Sequence, residues 1–147
     1  MIEEASGKGY RIQKLTEGKN DSMRIEHIAL NVAEPEAVIK WYCENLNMKV
    51  RRKSGRAFFI ADESGNVIME IYHNPAAPVP DYKATHLLVF HIAFCSDDVP
   101  YDCQRLIKAG ATMNGEVSTA ANGDIIANLR DPWGLAIQLV KRSENML

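Results

Sequence analysis

Apolar and polar positions alternate along residues 24–32. Ile28, Leu30 and Val32 make one face, and His27, Ala29 and Asn31 make the other, which is the period of a half-buried strand. At Glu34-Pro35-Glu36 the period changes. Proline in the first turn and acids at the positive end of the dipole start a helix. Val38, Trp41, Tyr42 and Leu46 then recur at helical spacing as a buried stripe, and Asn47 suits the left-handed position that closes it. Three strands are predicted next: Met48–Arg52, Arg56–Asp62 and Val67–His73. Turns at Lys53-Ser54-Gly55 and Asp62-Glu63-Ser64-Gly65-Asn66 separate them.

The stretch Asn74–His86 holds Pro75, Pro78 and Pro80, a density that disfavours helix and central strand alike. The pattern then starts again. Leu87–Cys95 reads as a strand. Val99–Ala109 reads as a helix with Val99, Cys103, Leu106 and Ile107 inward, ended by Gly110. Thr112–Thr119, Asp124–Arg130 and Leu135–Lys141 read as strands, with turns at Asn122-Gly123 and Asp131-Pro132-Trp133-Gly134. Each half is βαβββ. The expected organisation is one domain over residues 23–141, with modules 23–74 and 87–141 joined by a linker at 75–86. Residues 1–22, polar and carrying Gly7, Gly9 and Gly18, read as a flexible extension before a natural start at Met23.

Both first strands carry His-Ile-Ala, at 27–29 and at 91–93. Repetition changes what a histidine means. If two equivalent strands lie side by side, His27 and His91 converge, and convergent imidazoles suggest a metal. Composition narrows the rest. At 147 residues and 46% hydrophobic, the chain suits one ordinary globular domain. A net charge of −2 makes no case for nucleic acid or an anionic membrane as partner. No apolar run approaches the roughly 20 residues of a membrane span, and no signal peptide is evident, so the cytoplasm is the expected location. Cys43, Cys95 and Cys103 include no Cys-x-x-Cys pair, which points away from a disulfide scaffold or a thiolate zinc site. His73, His86 and Trp133 read as structural or surface residues.

The four motifs His27-Ile28-Ala29-Leu30-Asn31-Val32, Glu70-Ile71-Tyr72-His73-Asn74, His91-Ile92-Ala93-Phe94 and Asp131-Pro132-Trp133-Gly134-Leu135-Ala136-Ile137-Gln138-Leu139 occur in an order and at a spacing that resemble the vicinal oxygen chelate superfamily. That group includes glyoxalase I, methylmalonyl-CoA epimerase, extradiol dioxygenases and bleomycin-resistance proteins. The resemblance covers residues 23–141. It implies an α+β fold in which tandem βαβββ modules form an incompletely closed mixed β-barrel with helices outside. The implied metal ligands are His27, Glu70, His91 and Gln138, for a divalent Ni, Co, Mn, Fe or Zn ion. The implied chemistry is that of a glyoxalase- or epimerase-like lyase or isomerase. It would act on a small vicinally oxygenated substrate through an enediolate or enolate, with Glu70 as the proton shuttle.

Gln138 stands where glyoxalase I commonly has Glu, which leaves one carboxylate in the set. Asn31, Asn74, Asn128 and Arg130 are the expected substrate contacts. Asn74 matches an asparagine that contacts glutathione in glyoxalase I, whereas Asn31 stands where that enzyme has an arginine, so glutathione is disfavoured as carrier. A homodimer is expected, as family members usually pair. The alternative from another class is a metal-free, drug-sequestering binding protein.

Overall fold

The computed structural model describes residues 23–65 and 68–146, with the backbone alone at Ile68. The extension expected at residues 1–22 lies outside the described residues. In the first half, β1 (Ile28–Asn31), α1 (Pro35–Asn45), β2 (Lys49–Ser54), β3 (Ala57–Ala61) and β4 (Ile68–Tyr72) follow in order. They build a four-stranded sheet ordered β1-β4-β3-β2, with β1 parallel to β4 and the other pairs antiparallel. The second half repeats this with β5 (Ile92–Cys95), α2 (Val99–Lys108), β6 (Thr112–Met113), β7 (Ser118–Thr119), β8 (Ile125–Arg130) and β9 (Ala136–Lys141). Its order is β5-β9-β8-β6, with β7 also on β8. The fold is α+β with two mixed sheets, and among the described residues no barrel closes.

Alternation and helical spacing bury most of the residues they select, but Ile28, which opens the edge strand β1, and Ile107, near the end of α2, are expected inward and are exposed. Leu30, Val32, Ile60, Met69 and Ile71 share one core with Val38, Ile39, Trp41 and Tyr42 of α1. The same core takes in Val99, Cys103 and Leu106 of α2 and Leu129, Ile137 and Leu139 of the second sheet. Asn47 has φ +54° after α1, and Gly110 has φ +100° after α2, the left-handed positions expected of both.

Three strands depart from expectation. The alternating stretch 24–32 narrows to Ile28–Asn31, and residues 23–27 before it are exposed and outside the ladder. Thr112–Thr119 is broken into β6 and β7, and Gly115 between them takes φ +100°, a conformation that interrupts an extended ladder. Leu87–Cys95 shortens to Ile92–Cys95, because residues 87–89 form a turn with Val89 N–H on the His86 carbonyl at 2.8 Å. Leu88 and Val89 are left exposed there.

The modules join through their helices. The Trp41 indole donates to the Ala109 carbonyl at 2.8 Å, and Arg105 donates to the Asn45 carbonyl at 2.7 Å. Tyr42, fully buried, donates to Asp131 Oδ2 at 3.0 Å. The other Asp131 oxygen accepts the Trp133 and Leu135 N–H groups at 2.9 and 2.8 Å. Burial pushes the Asp131 carboxyl above its ordinary range, against the pull of these hydrogen bonds. Tyr42→Phe would take a donor from a buried acceptor. A loss of about 1–3 kcal/mol in urea unfolding is expected; an unchanged midpoint would show that the contact carries no stability.

Candidate metal centre

Register makes the modules equivalent at the site. Ala29 pairs with Glu70 across β1 and β4, and Ala93 pairs with Gln138 across β5 and β9. Cross-strand partners share a face, and in each module the histidine stands two positions before the alanine. Glu70 and Gln138 are therefore the same position of the repeat. Both lie on the sheet face turned away from the helices.

In the first module the expected ligands meet. His27 Nε2 is 3.3 Å from Glu70 Oε2, and both side chains are partly exposed, at 34% and 21%. The other imidazole nitrogen, Nδ1, is hydrogen-bonded to the Glu26 carboxylate. That bond pushes His27 above its ordinary pKa. Desolvation opposes the rise, while the charges of Glu26 and Glu70 add to it. Phe59 packs its ring edge-on against His27 at 5.6 Å. In the second module His91 Nδ1 bonds the Leu87 carbonyl at 2.9 Å, so the turn at residues 87–89 holds the ring. Gln138 donates Nε2 to Asn128 Oδ1 at 3.1 Å.

These contacts fit a divalent ion. Each histidine has Nδ1 held by an oxygen, which leaves Nε2 as the nitrogen that could ligate a metal, and ligating histidines are held this way by outer partners. With Nε2 of Gln138 donated to Asn128, its amide oxygen is the free donor. The His27–Glu70 separation suits adjacent ligands each about 2.1 Å from one ion. The set of two imidazoles, a carboxylate and an amide oxygen suits Ni, Co, Mn, Fe or Zn.

One chain does not assemble all four. Among the described residues β1 and β5 are edges of separate sheets and do not pair with each other, so the condition under which His27 and His91 would converge is not met by strand pairing. Among the described residues no three His, Cys, Asp or Glu side chains converge as a metal site. The modules pack through their helix-covered faces, which leaves each polar face outside with half of the ligand set.

The expected substrate contacts have other partners. Asn31 Nδ2 donates to the Asn74 and Ala77 carbonyls, both at 3.1 Å, and Asn31 Oδ1 accepts the Asn74 N–H at 2.8 Å. Arg130 donates to the carbonyls of Tyr82, Gly134 and Thr85 at 2.8–2.9 Å. Both residues strap the linker. Asn128 orients Gln138 instead of facing a ligand alone. Asn74 stays near the site: it lines an open polar cleft of about 470 Å³ with Ser54, Arg56, Glu70, Tyr72 and His73. His73 bonds the Val32 carbonyl at 3.0 Å, in keeping with a structural role.

Glu26 and Arg56 escape sequence reading. Alternation over 24–32 puts Glu26 on the face of Ile28 and Leu30, but β1 begins only at Ile28 and Glu26 turns to His27 instead. Arg56 sits at a turn.

The sequence matches the Glyoxalase/Bleomycin resistance protein/Dioxygenase superfamily over residues 24–139. A probable lactoylglutathione lyase of Vibrio cholerae is 27% identical over 130 residues, covering 82% of this chain and 92% of that protein. A lactoylglutathione lyase of Neisseria meningitidis serogroup B is 28% identical, covering 82% and 91%. A probable chloroplastic lactoylglutathione lyase of Arabidopsis thaliana is 28% identical over 87% of this chain, which spans only 38% of that relative. Among solved structures, a glyoxalase family protein from Bacillus cereus superposes with TM-score 0.64 at 18% identity, covering 86% of this chain and 97% of that one. An antibiotic binding protein from Streptomyces sp. CB03234 superposes with TM-score 0.63 at 19% identity, covering 84% and 98%. No helix among the described residues is long and apolar enough to cross a membrane. The match over most of the chain, together with the repeated βαβββ plan and its equivalent His-Ile-Ala edges, shows that the chain belongs to the Glyoxalase/Bleomycin resistance protein/Dioxygenase superfamily.

Proposed function

We propose that the chain is a metal-dependent lyase or isomerase of glyoxalase or epimerase type, acting on a small substrate with vicinal oxygens. The observation that carries this reading is the contact between His27 Nε2 and Glu70 Oε2, at the position whose repeat equivalent is Gln138. His27, Glu70, His91 and Gln138 would hold the ion, which supplies positive charge for an oxyanion developing on the substrate. Glu70 takes the proton from the carbon beside the substrate carbonyl. In a glyoxalase-type step it returns it to the former carbonyl carbon while the hydroxyl proton passes to the former carbonyl oxygen. In an epimerase-type step a proton returns to the carbon it left. Glu26 holds the His27 ring, the Leu87 carbonyl holds the His91 ring, and Asn128 turns the Gln138 amide oxygen outward.

The working unit is a homodimer. The His27–Glu70 face of one protomer meets the His91–Gln138 face of its partner. The lactoylglutathione lyases among the relatives favour a carbon–sulfur lyase within this class.

The test is metal uptake. Protein purified without chelator is expected to hold a divalent ion and to melt higher when the ion is added. At a hundredfold excess over Kd the gain is about 2.7 kcal/mol. His27→Ala and His91→Ala should each remove the shift. Identical responses of wild type and both variants to every ion tried would defeat the metal reading and favour the metal-free binding protein.

A further inference from the structure

Five of the eight residues 49–56 are cations, namely Lys49, Arg51, Arg52, Lys53 and Arg56, with no acid among them, in a chain of net charge −2. Among the described residues β2 is the edge of its sheet, and charged side chains protect sheet edges from pairing with other chains. That explains part of the run. Lys53 lies over the Phe58 ring, 4.7 Å from its centroid, and the Arg51 guanidinium packs against Gly65.

Arg52 and Arg56 are placed differently. Arg52 pairs with Phe59, Phe59 with Glu70, and Glu70 with Ala29, so Arg52 stands in the cross-strand row of Glu70, on its face. The contact of Phe59 with His27 marks the same face. With strands about 4.8 Å apart, two spacings or about 9.6 Å separate Arg52 from Glu70, a distance that a long side chain on β2 and a ligand seated beside Glu70 span together. Arg56 lies in the turn, past the ladder it would otherwise protect, and lines the cleft that contains Glu70, Tyr72 and Asn74. Neither arginine has an ion-pair partner among the described residues.

We propose that the substrate of this face carries an anionic group, a carboxylate or a phosphate, bound by Arg56 and Arg52 while its vicinal oxygens lie at the His27–Glu70 pair. This rests on the reading of that face as the reactive one. A neutral substrate would leave two unneutralised guanidinium groups at the rim, whereas an anion offers each the planar, paired acceptors that a guanidinium fits. The cations also offset the repulsion that Glu70 imposes on an incoming anion.

Three hydroxamates that mimic vicinal oxygens test this by calorimetry on metal-free and Ni²⁺-treated protein: glycolohydroxamate, succinate monohydroxamate and phosphoglycolohydroxamate. The anionic probes are expected to bind more tightly than the neutral one, by a margin that shrinks with salt. Arg56→Gln should weaken the preferred anionic probe roughly tenfold to a hundredfold, Arg52→Gln should weaken it less, and neither should move the neutral probe. The carboxylate and phosphate arms decide which anion is meant. Equal affinities of all three probes for wild type, an anionic preference that survives both substitutions, or no binding of any probe would overturn the proposal. Metal content is measured in the same samples. A protein that takes up no metal yet prefers an anion through Arg56 would sink the metal reading and leave this one standing.

Discussion

Glu70→Gln is expected to slow proton abstraction by roughly 10² to 10⁴, the usual worth of a positioned base, while the protein still takes up metal. The amide keeps an oxygen beside His27 Nε2, so the substitution removes the base without removing a donor. The repeat shows that such a site is buildable, because the equivalent position of the second module is already Gln138. Gln138→Glu runs the other way. It adds a second carboxylate, brings the charge of a divalent site from +1 to 0, and should tighten metal while weakening the pull on a substrate oxygen. Deuterium exchange from solvent into a panel of 2-hydroxy ketones and hemithioacetals reads the proton step directly, with metal content determined alongside. Full metal and full exchange in Glu70→Gln would make Glu70 a ligand only, and the base would have to be another group.

How far the sequence reached follows from the reach of its signals. Alternation in β1 and helical spacing in α1 are local, and Leu30, Val32, Val38, Trp41 and Tyr42 are buried as those periods require. The repeated His-Ile-Ala let residues 64 apart be matched, and the strand registers put the matched residues at equivalent places. The pattern is silent on which sheet edges face each other, because joining the two halves within a chain or between chains buries the same apolar faces. Asn31 and Arg130 were ambiguous for another reason. A polar residue on a strand can face solvent, a ligand or another segment. Pro75, Pro78 and Pro80 bring no N–H of their own to the linker, and its carbonyls need donors. Asn31 and Arg130 supply them. That demand is set by the folded path of the linker, which no local period encodes.

Mixing two inactive variants is expected to restore activity, if the ligand set is completed between protomers. His27→Ala keeps a sound His91–Gln138 face, and His91→Ala keeps a sound His27–Glu70 face. In a mixed dimer one site joins the two sound faces and the other joins the two damaged ones. Random exchange of equal amounts then yields roughly a quarter of the wild-type sites, since half of the dimers are mixed and each holds one good site. Within a single chain no such rescue is possible, because every chain carries a defect. The structure favours rescue, as among the described residues β1 and β5 each have one neighbour and the modules meet through Tyr42–Asp131 and Trp41–Ala109, away from both polar faces. Metal bound per dimer and deuterium exchange should both recover on mixing, after brief dissociation in mild denaturant, and light scattering should show a dimer before and after. Mixed dimers that form but recover neither metal nor exchange would place all four ligands within one chain, and a monomeric mass at micromolar concentration would remove the interface on which the argument depends.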